Sequence, residues 1–304
     1  MEVLTSLFTI LIIGLLGIFS RKLGVFKAEH AKTLSSFVYY FGLPTLFFVK
    51  LSGLDLSSLD LQMVLGTTLP TMSLLMILLI LKWIKLINKD TYVLLSLSIS
   101  FGSYAFFGVA FFETFQGGIW LETSILAASL LGVLGIITSL SLLEYANQQG
   151  QRKGFLRKIL INPLILSIII GITASLIGFR VVFLNNAFTL VGQTSSAIAI
   201  FVLGMFIYDR FSLDIIKETL VYSLLRIIGL PLITWITIQI ILPGSEELSQ
   251  FLMLENGMPA AIALVVFAER YDYKVTETVG VVSLTSIFSF VGLTVIYYLS
   301  QFIF

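Results

Sequence analysis

Cysteine is absent from the chain, and histidine occurs once, as His30. The first absence excludes disulfides, thiolate metal sites and a cysteine nucleophile. The second excludes a histidine metal cluster, and a serine hydrolase built on Ser103 would have to draw on His30 from a distant basic loop. Charge is scarce as well: 12% of the 304 residues are charged, where a soluble domain carries about 25%. A formal net charge of +1 gives no bias toward nucleic acid. No lysine lies embedded in an apolar run, so a retinal-type Schiff base has no anchor. These absences argue against an enzyme, and they leave no residue set for a metal or a cofactor.

What the chain does contain is apolar sequence, 58% of its residues, at a mean hydropathy of +1.03. Runs near twenty residues recur along the whole length, each able to cross a ~30 Å hydrocarbon core as a helix, without the short alternating strands of a barrel. The first run, 3–20, is read as a retained span, because Arg21 and Lys22 follow it where a signal peptide would place a cleavage site. Ten spans are expected, at 3–20, 33–50, 62–81, 93–112, 121–143, 159–178, 187–208, 219–242, 248–268 and 278–302. Fifteen lysines and arginines then fall in loops on one side and only Lys50 and Arg180 on the other. That asymmetry puts the basic side in the cytoplasm and both termini outside a multi-pass cell-membrane protein.

The polar, basic stretch 144–158 reads as a cytoplasmic linker between five-span halves at 1–143 and 159–304. With an odd number of spans in each half, any repeat must be inverted in the membrane, a common design of secondary transporters. IIG at 12–14 returns at 169–171 and VF at 25–26 returns at 182–183, both at an offset of 157, and Leu69-Pro70 is answered by Leu230-Pro231. The fold class expected is thus all-α, with ten transmembrane helices in two inverted five-helix repeats.

Spans 4 and 9 hold equivalent places in the two halves and are the most irregular. Asn256, Gly257 and Pro259 cluster within span 9, where proline removes a backbone bond and glycine permits unwinding. Gly102, Ser103, Tyr104 and Gly108 give span 4 a softer counterpart. If both helices break, half-helix N-termini point their positive ends at the midplane and form an anion-favouring pocket; close helix packing at small residues is the alternative. Glu255 is an ionisable group at helix-centre depth. It is a candidate for proton coupling, for holding a cationic group or for a structural pair, unless it lies nearer the outer surface and is hydrated. Arg226, inside span 8, reads either as a side chain snorkelling to the cytoplasmic interface, the favoured reading, or as a counter-charge for a carboxylate substrate. Gln193 and Thr194, in the GQTSS cluster of span 7, are substrate hydrogen-bond donors or inter-helix glue. Glu113 and Gln116 suit an exposed outer mouth of span 4, and His30 a solvated loop. Pro44, Pro70 and Pro231 are expected to kink their helices and Pro163 to open span 6.

IIGLLGIFSRKLGVF, FGLPTLFF, SFGSYAFFGVAFFETFQG, NPLILSIIIGI and MPAAIALVVFAERYDYK, in that order over nearly the whole chain, resemble the auxin efflux carrier family, in its shorter-looped bacterial and archaeal permease form. The resemblance implies a scaffold beside a transport domain, each drawn from both repeats, with substrate held where broken crossover helices 4 and 9 meet. Pro259 matches the family pattern. Ser103 and Ala110 stand where the family commonly has an asparagine and, seven residues on, a proline.

The function expected is secondary transport of a small organic anion, a carboxylate such as malate or an auxin-like acid, by elevator-type alternating access. Substrate would meet Gly102, Ser103, Tyr104, Glu255, Asn256, Gly257 and Pro259, with Gln193 and Thr194 as further candidates. Partners are the anion and the lipid bilayer, with a coupling proton or sodium ion and a second copy of the chain as candidates, and no nucleic acid. The alternatives are a sodium-coupled carrier resembling the bile acid symporter family, a channel, and a non-transporting receptor, which the short loops disfavour.

Overall fold

At bilayer depth a chain must satisfy its backbone groups internally, and a helix does so within one segment. The computed structural model is helical at nearly every position it describes, namely residues 2–53, 60–108, 111–112, 115–147, 161, 163–179, 182–210, 212–240 and 245–303. Helix α1 (Glu2–Lys22) is followed by α2 (Ala28–Phe37), which runs through a π turn at Val38–Gly42 into α3 (Leu43–Ser52). Then come α4 (Leu61–Trp83), α5 (Lys89–Ser100), a π turn at Tyr104–Gly108, a 3-10 turn at Phe115–Gly118 and α6 (Leu121–Ala146). The second half holds α7 (Pro163–Leu176) and α8 (Val182–Arg210), then α9 (Leu213–Leu224), joined by a π turn at Leu225–Gly229 to α10 (Leu230–Ile240). It closes with α11 (Glu246–Asn256), α12 (Ala263–Tyr271) and α13 (Val275–Ile303).

Among the described residues, six stretches are long and apolar enough to cross a membrane: Ala28–Ser52, Leu61–Trp83, Thr123–Ala146, Phe183–Arg210, Leu213–Ile240 and Val275–Phe302. The molecule is a multi-pass membrane protein. Most of the expected linker, Ala110 and Glu113 lie outside the described residues, as does the side chain of Gln116.

Polar residues mark the starts of these helices. Asp60, Asn88, Ser212 and Ser245 each accept from a backbone N–H three residues on, which satisfies a donor the first turn leaves free. His30 is part of such a start: its Nδ1 accepts from Lys27 N–H at 3.1 Å, and its ring meets Phe26 edge-on. Pro163 opens α7. Pro44 and Pro231 each stand two residues past a π turn. Proline lacks an N–H, and its ring crowds the carbonyl four residues back, here Tyr40 and Ile227. Both carbonyls fall within the wider π ladder, which resumes as Leu43 N–H bonds Val38 O and Leu230 N–H bonds Leu225 O. Pro70 lies inside α4 with no such turn.

Two sets of helices pack mainly within themselves. One comprises α1, α2–α3, α7 and α8; the other comprises α4, α5, α6, α9–α10, α11 and α13, with α12 touching both. In the first set glycines bring backbones together, as small residues do in lipid, where apolar burial drives little association. A Cβ on Gly204 would meet the Gly14 carbonyl carbon at 2.9 Å, and one on Gly192 the Leu46 backbone at 3.0 Å.

Candidate functional site

Both irregular segments interrupt their helices, and the interruptions meet. Helix α5 stops at Ser100, Phe101 turns extended (φ −129°, ψ 104°), and winding resumes only at Tyr104. Helix α11 stops at Asn256, and α12 starts at Ala263. Gly102 and Ala260 pair antiparallel: Ser103 N–H donates to Pro259 O, and Ala261 N–H to Phe101 O, both at 2.8 Å. The backbone groups freed by each break are thus partly answered by the other, as membrane depth requires. The stacked rings of Phe101 and Phe267, 5.8 Å apart, bind the two segments further. The interruption at Phe101–Ser103 thus forms without a proline of its own.

Two side chains from outside the interruptions complete the frame. Thr285 of α13 accepts from Ala260 N–H at 3.1 Å, and its own hydroxyl donates to Val281 O at 2.8 Å. Arg226 is wholly buried, which corrects the snorkelling expectation. Its Nε donates to Met258 O at 2.9 Å, Nη1 to Ile99 O at 2.7 Å and Nη2 to the Tyr104 hydroxyl at 3.0 Å. Its π turn places the guanidinium beside Gly102, where a Cβ would overlap Nη2 and come within 2.5 Å of Tyr104 Cζ.

Polar groups left over at this crossing are few. The Ser103 hydroxyl is buried and has no partner. It lines a cavity of about 20 Å³, shared with Leu43, Phe47, Phe101, Tyr104, Ala261 and Ala263, together with Ala128 and Gly132 of α6. That is room for one water rather than an organic acid. Glu255 is 0% exposed, so it is not hydrated at the surface, and neither carboxylate oxygen finds a hydrogen bond. Its Oε2 lies 3.4 Å from where a Gly108 Cβ would sit, and Arg226 is the charge that bears on it, without an ion pair between them.

The expected site residues divide accordingly. Gly102, Ser103, Tyr104 and Pro259 stand at the crossing, with Glu255 one turn before Pro259. Gly257 ends α11 under Ile296, whose Cδ1 would lie 2.7 Å from a Cβ there. Asn256 turns its amide to Gly66 O and Leu252 O, at 3.4 and 3.2 Å, toward α4 rather than the cavity. Gln193 and Thr194 are not brought to the crossing: both are exposed on α8, and the Thr194 hydroxyl returns to Val191 O. Among the described side chains of that cluster, Gly192 and Ser195 pack inward, against Leu46 and Gly42. Sequence reasoning missed Thr285, Phe101 and Ala260, which are ordinary residues until the second interruption is laid across the first.

At the end of the bundle carrying Lys32, Arg210 and Arg270, Glu269 of α12 meets Lys32 at 3.0 Å and Arg210 at 3.6 Å. This ties α12 to α2 and α8. Nearby, the Tyr273 hydroxyl donates to Asp90 Oδ1 at 2.9 Å. Burial, with that carboxylate, pushes the phenol well above its ordinary range.

Residues 2–297 match a family model described as a membrane transport protein. The chain belongs to the auxin efflux carrier family. Comparison with curated proteins finds no match. Auxin efflux carrier membership makes the chain a membrane transporter rather than an enzyme, with a small transported substrate.

Proposed function

We propose that the chain is a secondary transporter that carries a small organic anion across the cell membrane by alternating access, binding it where the two interrupted helices cross. The observation that carries this reading is the reciprocal backbone pairing of Gly102 with Ala260, beside the unpartnered Ser103 hydroxyl. Interrupted helices at membrane depth are the form that substrate sites of secondary transporters take, and the N-terminal end of α12 favours negative charge. A cavity of about 20 Å³ holds no organic acid, so binding requires the two helix sets to part.

Several features favour an inverted repeat of ten spans in this reading. The paired interruptions are 158 positions apart, next to the offset of 157 between the sequence matches, and their two hydrogen bonds are related as a two-fold axis would relate them. Helices α1 and α7 both end on a left-handed glycine, Gly24 at φ 72° and Gly178 at φ 66°. Counting α2–α3, α5 with its π turn, α9–α10 and α11 with α12 as single crossings makes ten. The set of α1, α2–α3, α7 and α8 would be the scaffold, and the other set would move against it. The excess of basic residues in its loops favours a cytoplasmic position for the end carrying Lys32, Arg210 and Arg270, with the termini outside.

Glu255 is the coupling group in this reading, a proton carrier whose two oxygens are not engaged by the protein. The same oxygens would also suit a hard cation, which makes sodium coupling the second reading. Uptake of labelled organic acids into proteoliposomes, with and without imposed proton and sodium gradients, tests both. The expected result is saturable uptake of at least one acid, stimulated by a proton gradient and made independent of it by Glu255→Gln. If no acid moves, the transport reading fails. If Glu255→Gln leaves flux and gradient response intact, the coupling role fails.

A further inference from the structure

A helix ending inside a membrane protein leaves carbonyl groups without partners, and its C-terminal end carries the equivalent of roughly −0.5 elementary charge. Here two such ends, those of α5 and α11, are buried together at the crossing. Two half charges call for about one cation, and Arg226 reaches the last turn of α5 and the segment just past the end of α11.

Its bonds fall on three separate stretches of chain. Ile99 O belongs to the last turn of α5, Met258 O to the interruption after α11, and the Tyr104 hydroxyl to the winding that follows the first interruption. No carboxylate pairs with this cation, and it does not line the small cavity. Three of its five N–H groups are committed to the protein. Gly102 is shaped to it, since a Cβ there would occupy the guanidinium's place.

We propose that Arg226 is a positioning residue: it locks the two interruptions in register by binding Ile99 O in the last turn of α5 and Met258 O in the interruption after α11, and it does not serve as the counter-charge of the transported anion. This rests on reading the crossing as the transport site, but the lock itself can be observed without any substrate. A planar fork is required, because one lysine ammonium cannot reach three acceptors set around it.

The test is hydrogen exchange at the amides of Ser103 and Ala261, which form the bridge, in the purified full chain carrying Arg226→Gln or Arg226→Lys. Both variants should raise exchange at these two amides at least tenfold while α1 and α8 keep wild-type protection. Gly102→Ala, which displaces the guanidinium while keeping its charge, should do the same and serves if neither arginine variant folds. With a transported acid in hand, both arginine variants should cut the maximal uptake rate at least tenfold and leave KM within threefold. Wild-type protection at Ser103 and Ala261 in Arg226→Gln or in Gly102→Ala overturns the proposal, as does restoration of the wild-type uptake rate by Arg226→Lys. If exchange rises as expected but no organic acid is carried, the positioning role stands and the transport reading is what falls.

Discussion

Thr285→Val isolates one hydrogen bond of the crossing with little change of shape. The Thr285 hydroxyl accepts from Ala260 N–H at 3.1 Å, and both residues are 0% exposed. Valine fills nearly the same volume but leaves that amide with no acceptor at a depth where water does not substitute. An orphaned buried donor costs about 1–3 kcal/mol. If the cost falls on the crossing alone, local opening becomes roughly 5- to 150-fold more frequent, at about 1.4 kcal/mol per tenfold. Hydrogen exchange of the peptide containing Ala260 reads that factor directly. Thr285→Ser keeps the acceptor and should stay within about twofold of wild type. Equal exchange in Thr285→Val and wild type, or an equal rise in Thr285→Val and Thr285→Ser, would refute the claim that this hydroxyl supports the second interruption.

Glu269→Gln removes the carboxylate that Lys32 and Arg210 share. Exposed pairs contribute about 0.2–1 kcal/mol each, so thiol labelling of a single cysteine at the crossing from the basic side should speed up by roughly 1.4- to 5-fold per pair lost. Unchanged labelling would remove these pairs from the opening step. Gly204→Ala forces a Cβ onto the Gly14 backbone, which has no flexible end to yield. It should destabilise the chain by about 1–3 kcal/mol, whereas at Gly14 the nearest atom is Ile200 Cγ2 at 4.0 Å and alanine should be tolerated. Thermal unfolding in one detergent compares the two, and equal stability would contradict the packing of α1 on α8.

The helices were legible in the sequence because a run of bilayer length has few other stable forms. The break in span 9 was legible because Gly257 and Pro259 weaken the backbone ladder directly. The break in span 4 was less so: Gly102 and Ser103 are equally good packing residues, and what opens the helix is the pairing with Ala260 and the approach of Arg226. Depth along a span could not say which way Arg226 points, because direction depends on the π turn that Pro231 imposes a few residues later. Polarity at mid-depth likewise could not say which face of α8 carries Gln193 and Thr194, and that face is exposed. Glu255 and Asn256 are adjacent, yet one faces Gly108 and the other reaches Gly66, because neighbours on a helix point about 100° apart.

The absence of cysteine makes the most direct measurement a simple one, since any introduced thiol is unique. Ser103→Cys places that thiol on the small cavity at the crossing. Membrane-impermeant thiol reagents would be applied to each face of oriented vesicles in turn, with and without the transported acid. Alternating access through this crossing predicts labelling from both faces, slowed by the acid on each. A thiol that labels from neither face or from only one, or whose labelling the acid leaves unaltered, would contradict the crossing as the transport site.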